Sequence, residues 1–437
     1  MDYLNELTWR GMLHQATADE VLHAHLSTPG RVAYAGFDPT SSSLTVGNLV
    51  PIMMLRHWQL AGHQPIVVMG GGTGLIGDPS GKDDERRLLS AEQVASNVAG
   101  QEEIIRRILD CDPSHLCHAL FLDNETWLSG LGYIEFLRDV GKYFSVNMMI
   151  QKDSVRERLH EREQGISYTE FSYMLLQAWD FLHLHRAEGC TVQIAGSDQY
   201  GNIVSGIDLI RRMSPAGVEQ GPEAFGITAP LITKADGTKF GKTEEGAIWL
   251  SADMTSPYQF FQFWLNTTDD DVEPYLKCFT LLGREEIEDI VSRHRIAPHE
   301  RIAQRALAET VTGMIHGEDT CTLVQTASQA LFSGEVQDLS ADLLETILSG
   351  IPSSERGSTD LEGEGCALVD LLSETGLAGS KREAREFLDN GAISVNGHPV
   401  EESCRLTGKD LLHGSTVLLR RGRKTWHAIR WLSSGGG

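Results

Sequence analysis

Residues 31–49 read RVAYAGFDPTSSSLTVGNL. The stretch opens as a short apolar run, Val32 to Phe37, and breaks at Asp38-Pro39 into a Ser/Thr-rich turn. It resumes at Val46 with VGNLVPIMMLRHWQLAG, whose apolar residues recur with helical rather than alternating period. A strand that ends in a polar turn and opens a helix leaves free backbone N–H groups and the positive end of a helix dipole at the carboxyl edge of a sheet. In open α/β sheets that edge is where nucleotides bind.

The flanking segments extend the pattern. Pro65 to Met69, in HQPIVVMGGGTGLIGDPSGK, reads as a second strand, and strand–helix–strand spacing implies a parallel sheet. LSAEQVASNVAGQEEIIRRIL is an amphipathic helix, HALFLDN from His118 a third strand, and residues 125–162 are mainly helical. GISYTEFSYMLLQAWDFLHLH is a strong helix opened by a capping box, Ser167 with Glu170. CTVQIAGSDQYGNIVSGIDLIRRM is strand, turn and helix, and APLITKADGTKFGKTEEGAIWL is strand, long polar loop and strand. The expected architecture is α/β: a Rossmann-like parallel-sheet domain over 1–256 with a helical insertion at about 125–165. An all-helical domain over 257–335, a linker over 336–365 that contains PSSERGSTDLEGEG, and a small α+β domain over 366–437 follow.

Composition bounds the function. Of 437 residues, 41% are apolar and 22% charged, which suits a globular protein with a sizeable core. No signal peptide and no membrane-length apolar run is visible, and the seven cysteines are odd in number and scattered. Reduced thiols, a cytoplasmic location and no membrane partner are expected. The net charge of −24 argues against a generally nucleic-acid-binding surface. The charge is uneven, however: residues 381–430 hold ten Lys/Arg against six acids, a local +4 on a body of −28. A basic end on an acidic body points to a local polyanion contact.

Three stretches carry candidate chemistry. Gly72-Thr73-Gly74-Leu75-Ile76-Gly77 fits a dinucleotide fingerprint, but Asp78-Pro79-Ser80-Gly81 follows where an apolar helix is required, so an NAD-dependent oxidoreductase is disfavoured. What remains is a glycine loop that lets backbone approach a ligand, tipped by Asp78, with Lys82 and Arg86 near; a tight turn with solvated charges is the bland alternative. The apolar helix around Phe171 to Leu182 carries Tyr173, Gln177 and Asp180 on one stripe. Buried polar groups need partners, either within the core or from a ligand such as an amino acid. Lys239-Phe240-Gly241-Lys242-Thr243 places two lysines around a glycine, suited to covering a polyphosphate or simply to an exposed turn. The Cys111, His115, Cys117, His118 group lacks a second ligand cluster at zinc-finger spacing, and no metal site is expected.

The ordered set YAGFDPT, SLTVGNL, LIGDPSGK, EFSYMLLQAWDF, AGSDQYGN and KFGKT closely resembles the bacterial tyrosyl-tRNA synthetases, a class I family, from about residue 5 to 335 and again in the C-terminal domain. The resemblance implies that L-tyrosine is activated with ATP and Mg²⁺ to tyrosyl-adenylate and transferred to tRNA(Tyr) by a homodimer, with residues 257–335 on the anticodon side. By motif position, Tyr34 and Asp180 would bind the substrate phenol, and Tyr173, Gln177 and Asp78 the α-ammonium. Gly36, Asp38, Gly47, Gly196, Asp198 and Gln199 would line the tyrosine and adenylate site. Thr40, Thr45, Lys82, Arg86, Lys239 and Lys242 would face the phosphates, with Asn48 near the ribose and the helix start. There are departures. The family's His-Ile-Gly-His is Thr45-Val46-Gly47-Asn48 here, its Lys-Met-Ser-Lys-Ser is Lys239 to Thr243, and Tyr200 stands where Trp is common.

LVDLLSETGLAGSKREAREFLDNGAISVNGHPV resembles the ribosomal S-four type of RNA-binding fold. Ser380 and Glu383 form an expected capping box that puts Lys381, Arg382 and Arg385 on the first turns of a helix, and Asn396-Gly397 signals a type I′ hairpin. RNA phosphate contact is the expected role. A non-catalytic RNA-binding relative is the runner-up, and a tryptophan-specific relative the nearest competitor in fold.

Overall fold

Six strands form the first sheet in the order β1 (Gln15–Ala16), β6 (Phe225–Ala229), β5 (Cys190–Gly196), β2 (Val32–Phe37), β3 (Gln64–Met69), β4 (Leu120–Asp123). This computed structural model describes residues 1–78, 89–152, 155–156, 166–214, 224–238, 240–243, 246–337, 339–422 and 425–432. β2 to β6 are mutually parallel, as the βαβ spacing requires, and only the two-residue edge strand β1 runs antiparallel. β2 and β3 are apolar runs buried almost throughout, the mark of parallel strands covered on both faces. The helix Leu49–Leu60 buries Leu49, Val50, Ile52, Met53, Met54, Leu55 and Trp58, which is why its apolar residues do not keep to one stripe. Strand order reverses between β2 and β5: chain order runs outward through β3 and β4 on one side and through β5 and β6 on the other. Such a switch point opens a crevice at the carboxyl ends of the two strands, here beyond Phe37 and Gly196.

The helix Tyr168–Ala187 opens with the expected capping box: Ser167 Oγ accepts from Glu170 N–H, and the Glu170 carboxylate accepts from Ser167 N–H. The second strand expected after the lysine loop is not extended. Lys242–Thr243 (β7) and Gly246–Ala247 (β8) form a two-residue pair, and Trp249 makes a single bridge to Thr45. The loop is therefore fastened to the turn that opens the helix Leu49–Leu60, not to the sheet.

The chain divides into two units, 1–254 with 267–307, and 255–266 with 308–437. The helical stretch expected as one domain over 257–335 is helical but is shared between them. Residues 267–307 join the first unit for a physical reason. Arg10, buried in the helix Tyr3–Arg10, donates to the carbonyls of Lys277, Thr280 and Leu282.

In the second unit, a five-stranded sheet runs β12 (His398–Pro399), β11 (Ile393–Val395), β14 (Thr416–Arg421), β15 (Thr425–Leu432), β9 (Ser353–Gly357). Its core is built from Leu371, Leu372, Leu388, Val417, Leu419, Ile429 and Trp431. The linker expected over 336–365 is corrected here. That segment holds the helix Ala341–Leu348 and β9, which pairs parallel with β15 from Ser353 opposite Ala428 to Gly357 opposite Leu432. The Asn396-Gly397 hairpin has positive φ at both residues, +47° and +88°, as a type I′ turn demands. The second capping box is half made: Glu383 N–H donates to Ser380 Oγ, while the Glu383 carboxylate accepts from Gly379 instead of Ser380.

A Cβ at Gly397 would also run into the Gly334 carbonyl. Gly397→Ala is expected to cost the second unit about 2 kcal/mol or more, combining left-handed strain with a backbone clash. Denaturant unfolding followed by a signal from Trp426 and Trp431 checks it.

Candidate functional site

At the crevice between β2 and β5 the side chains singled out from the sequence join others in two hydrogen-bond chains. In the first, Tyr173 Oη donates to Asp38 Oδ2 at 3.0 Å, and Thr73 Oγ1 donates to Asp38 Oδ1 at 2.9 Å. Asn124 Nδ2 donates to both Thr73 Oγ1, at 3.0 Å, and Asp180 Oδ2, at 2.9 Å, and Trp127 Nε1 donates to Asp180 Oδ1 at 2.7 Å. Trp127 is itself stacked on His183, with ring centroids 4.5 Å apart. In the second chain, Gln199 Nε2 donates to Asp78 Oδ2 at 2.7 Å, and Asn202 Nδ2 donates to Gln177 Oε1 and Gln199 Oε1.

Tyr34 lies on β2, buried at 2% exposure and tilted against Phe181. Its hydroxyl has no hydrogen-bond partner among the described residues, and neither does Gln193 Oε1 on the neighbouring strand, whose residue pairs in register with Tyr34. Burial, then the nearby Asp180 and Cys190, push the Tyr34 phenol well above its ordinary pKa. Burial also pushes Asp180 from 3.8 up to about 7, against the opposing hydrogen bonds from Trp127 and Asn124. Gly36 and Gly196 stand at the carboxyl ends of adjacent strands. A Cβ on Gly196 would sit 2.6 Å from Asp198 Oδ1, so the carboxylate packs directly over this backbone.

The phosphate-side candidates are drawn together by backbone. Val46 N–H donates to the Ile248 carbonyl, Leu250 N–H to Leu44, and Ile248 N–H to Gly241. Gly241 has φ +74°, and a Cβ there would lie 2.7 Å from Val46 Cγ2. Phe240 anchors the loop by stacking on Phe279 and meeting Tyr275 edge-on. Thr45 and Asn48 are hydrogen-bonded to each other, and Thr40 and Gly47 are exposed on the same stretch. Lys82, Arg86 and Lys239, and the side chain of Lys242, lie outside the described residues.

Sequence reasoning passed over Asn124, Trp127, Thr73 and Asn202. Their only advance signal is buried carboxylates and amides that required donors. Among the described residues no group of three or more His, Cys, Asp or Glu side chains is placed to hold a metal, and no helix is long and apolar enough to cross a membrane.

This constellation can select a small amphiphile that carries a phenol at one end and an ammonium at the other. Residues 29–333 match the tRNA synthetases of class I (W and Y), and 344–429 match the tyrosine–tRNA ligase SYY-like C-terminal domain. The tyrosine–tRNA ligase of Bacillus caldotenax is 48% identical over 99% of this chain and 100% of its own. The chain belongs to the tyrosine–tRNA ligase family. Tyrosine–tRNA ligase 1 of Bacillus subtilis strain 168 is 47% identical over 98% of this chain and 99% of its own. A C-terminally truncated mitochondrial tyrosyl-tRNA synthetase from Aspergillus nidulans superposes with TM-score 0.68 at 33% identity, over 76% of this chain and 94% of that one. The class I synthetase fold with a small C-terminal sheet domain is therefore established for this chain.

Asp180 links the site to stability. Its folded-state pKa is raised, so between pH 4 and pH 7 the folded chain keeps a proton that the unfolded chain has released, and stability falls as pH rises through that window. Asp180→Asn removes this dependence. Relative to wild type, the variant is expected to gain stability on going from pH 4.5 to pH 8, read as a change in the difference of denaturant midpoints.

Proposed function

We infer that the chain activates L-tyrosine with ATP and passes the tyrosyl group to tRNA(Tyr), the reaction of its family. The observation that supports the amino-acid choice is the buried Tyr34 hydroxyl, without a partner among the described residues, beside the Asp180 carboxylate. Above about pH 7 the Asp180 carboxylate is ionised and only accepts. A substrate phenol therefore donates to Asp180 and accepts from Tyr34. Phenylalanine leaves the buried Tyr34 hydroxyl unpaired and takes from Asp180 the phenol donor that Asn124 and Trp127 do not replace; a discrimination of about 10⁵ is the established figure for this enzyme class. Asp78, Tyr173 and Gln177 take the α-ammonium on oxygen acceptors, with Gln199 ordering Asp78. Gly36, Asp38, Gly47, Gly196 and Asp198 border the adenylate, and Thr40, the 45–48 turn, Lys82, Arg86, Lys239 and Lys242 surround the phosphates.

A tyrosine carboxylate oxygen attacks the α-phosphorus of ATP, the bond from that phosphorus to the α–β bridging oxygen breaks, and pyrophosphate leaves. A terminal ribose hydroxyl of tRNA then attacks the tyrosyl carbonyl carbon and displaces AMP. The chain supplies no nucleophile; it aligns the substrates and offsets developing charge. Mg²⁺ would accompany ATP on its phosphates and offset their charge; among the described residues no group of three or more His, Cys, Asp or Glu is placed to hold it.

In the second unit, Lys381 and Arg385 form exposed ion pairs with Asp370 and Glu402, at 2.9 and 3.0 Å. Arg382 stands beside them on the helix Lys381–Asp389. Exposed pairs of this kind are weak and exchange readily for RNA phosphates. A homodimer forms through the insertion, whose helices Tyr133–Asp139 and Val146–Ile150 expose Tyr133, Ile134, Val146 and Met148 at 56% or more. The protein works in the cytoplasm.

Amino-acid-dependent ATP–pyrophosphate exchange tests the reading: signal is expected with tyrosine and no other amino acid, and no exchange with any amino acid overturns it. Asp180→Asn is expected to lower kcat/KM for tyrosine by about 10- to 100-fold, the worth of a hydrogen bond to a charged group. Arg382→Ala is expected to reduce the salt slope of tRNA binding by about one, measured by filter binding, while leaving exchange intact.

A further inference from the structure

The turn that replaces the family's two imidazoles is internally bonded. Asn48 Oδ1 accepts from Thr45 N–H at 3.0 Å and from Thr45 Oγ1 at 2.8 Å. A backbone N–H can only donate, so the amide atom facing it is the oxygen, and the orientation of the Asn48 side chain follows without ambiguity. The Thr45 hydroxyl, with the same oxygen in front of it, spends its single proton there.

Two consequences separate the residues. Asn48 immediately precedes the helix Leu49–Leu60, yet its side chain makes no cap bond to that helix; it turns back to Thr45. Its amide nitrogen keeps two donors with no partner among the described residues, on an exposed side chain. Thr45, half-buried, has only oxygen lone pairs left, which a phosphate oxygen repels. The backbone beneath the pair is held by the Thr45–Trp249 bridge and the Val46–Ile248 hydrogen bond, so the pair has a rigid base.

We propose that Thr45 is a positioning residue that locks the Asn48 amide toward ATP, and that Asn48 alone is the nucleotide's donor from this turn. The proposal deepens the reading of this turn as part of the ATP site and rests on it. Thr45 and Asn48 act as one unit, so their effects on catalysis are not independent.

A double-mutant cycle on the full-length protein tests this by ATP–pyrophosphate exchange, with tyrosine affinity and thermal unfolding measured alongside. Thr45→Val keeps the shape and removes the proton. It is expected to lower kcat/KM for ATP by about 5- to 10-fold, the range of one neutral hydrogen bond, with tyrosine affinity and unfolding temperature retained. Thr45→Ser, which restores the proton, is expected to recover most of that loss. Asn48→Ala is expected to cost at least as much as Thr45→Val, and the double variant Thr45→Val/Asn48→Ala no more than Asn48→Ala alone. Multiplying losses in the double variant would show that Thr45 meets the nucleotide itself and would overturn the proposal while leaving the site reading in place. A silent Asn48→Ala would remove Asn48 from the nucleotide and overturn both. A Thr45→Val loss that Ser does not recover would assign the effect to shape and overturn the lock.

Discussion

One buried amide keeps the amino-acid pocket and the glycine loop in a single frame. Asn124 donates to Asp180 and to Thr73, and its oxygen accepts from the N–H groups of Gly72 and Thr73. Both donors and both lone pairs are used, the full capacity of an amide side chain. Buried at 1% exposure, it has no water to fall back on. Asp180 needs that donor because burial works against its charge, and Trp127 supplies the second. The glycine loop needs the same residue because its N–H groups otherwise face an interior. The Asp180 carboxylate and the glycine loop are thus held by the same four hydrogen bonds.

Much of the site was legible because each part is short and local. Tyr34, Asp38, Asp78, Asp180 and Gln199 sit in motifs whose residue types and order carry the family pattern, and the βαβ spacing places their strands side by side. The hydroxyl and carboxylate on one helical stripe announced a need for partners. They did not announce which partners, because Asn124 and Trp127 lie over 50 residues away in a segment with no motif, and only β3–β4 pairing brings them in.

The misread linker has another cause. β9 is an edge strand of Ser, Glu, Arg and Gly whose residues alternate between exposed and half-buried, with none buried. It is held by backbone pairing to β15 and presents no apolar period to read. The division of residues 257–335 was equally hidden. Helical pattern marks the helices, but the unit each belongs to is decided by contacts such as Arg10 with three distant carbonyls.

Electrostatics explains why the site has two differently built halves. Asp38, Asp78, Asp123, Asp180 and Asp198 gather around the crevice, and hydroxyls, amides and an indole are among the donors that reach them. That half suits an ammonium and a phenol, and it repels a polyphosphate at close range. The nucleotide's negative end therefore has to be met by groups on another support. In the proposed reading the 45–48 turn and the lysine loop are that support, tied together through Ile248, whose carbonyl accepts from Val46 N–H and whose N–H donates to the Gly241 carbonyl. Because the fastening is backbone, it survives changes of side chain. The turn can then carry Thr and Asn where its relatives carry imidazoles, provided one fixed donor still points outward.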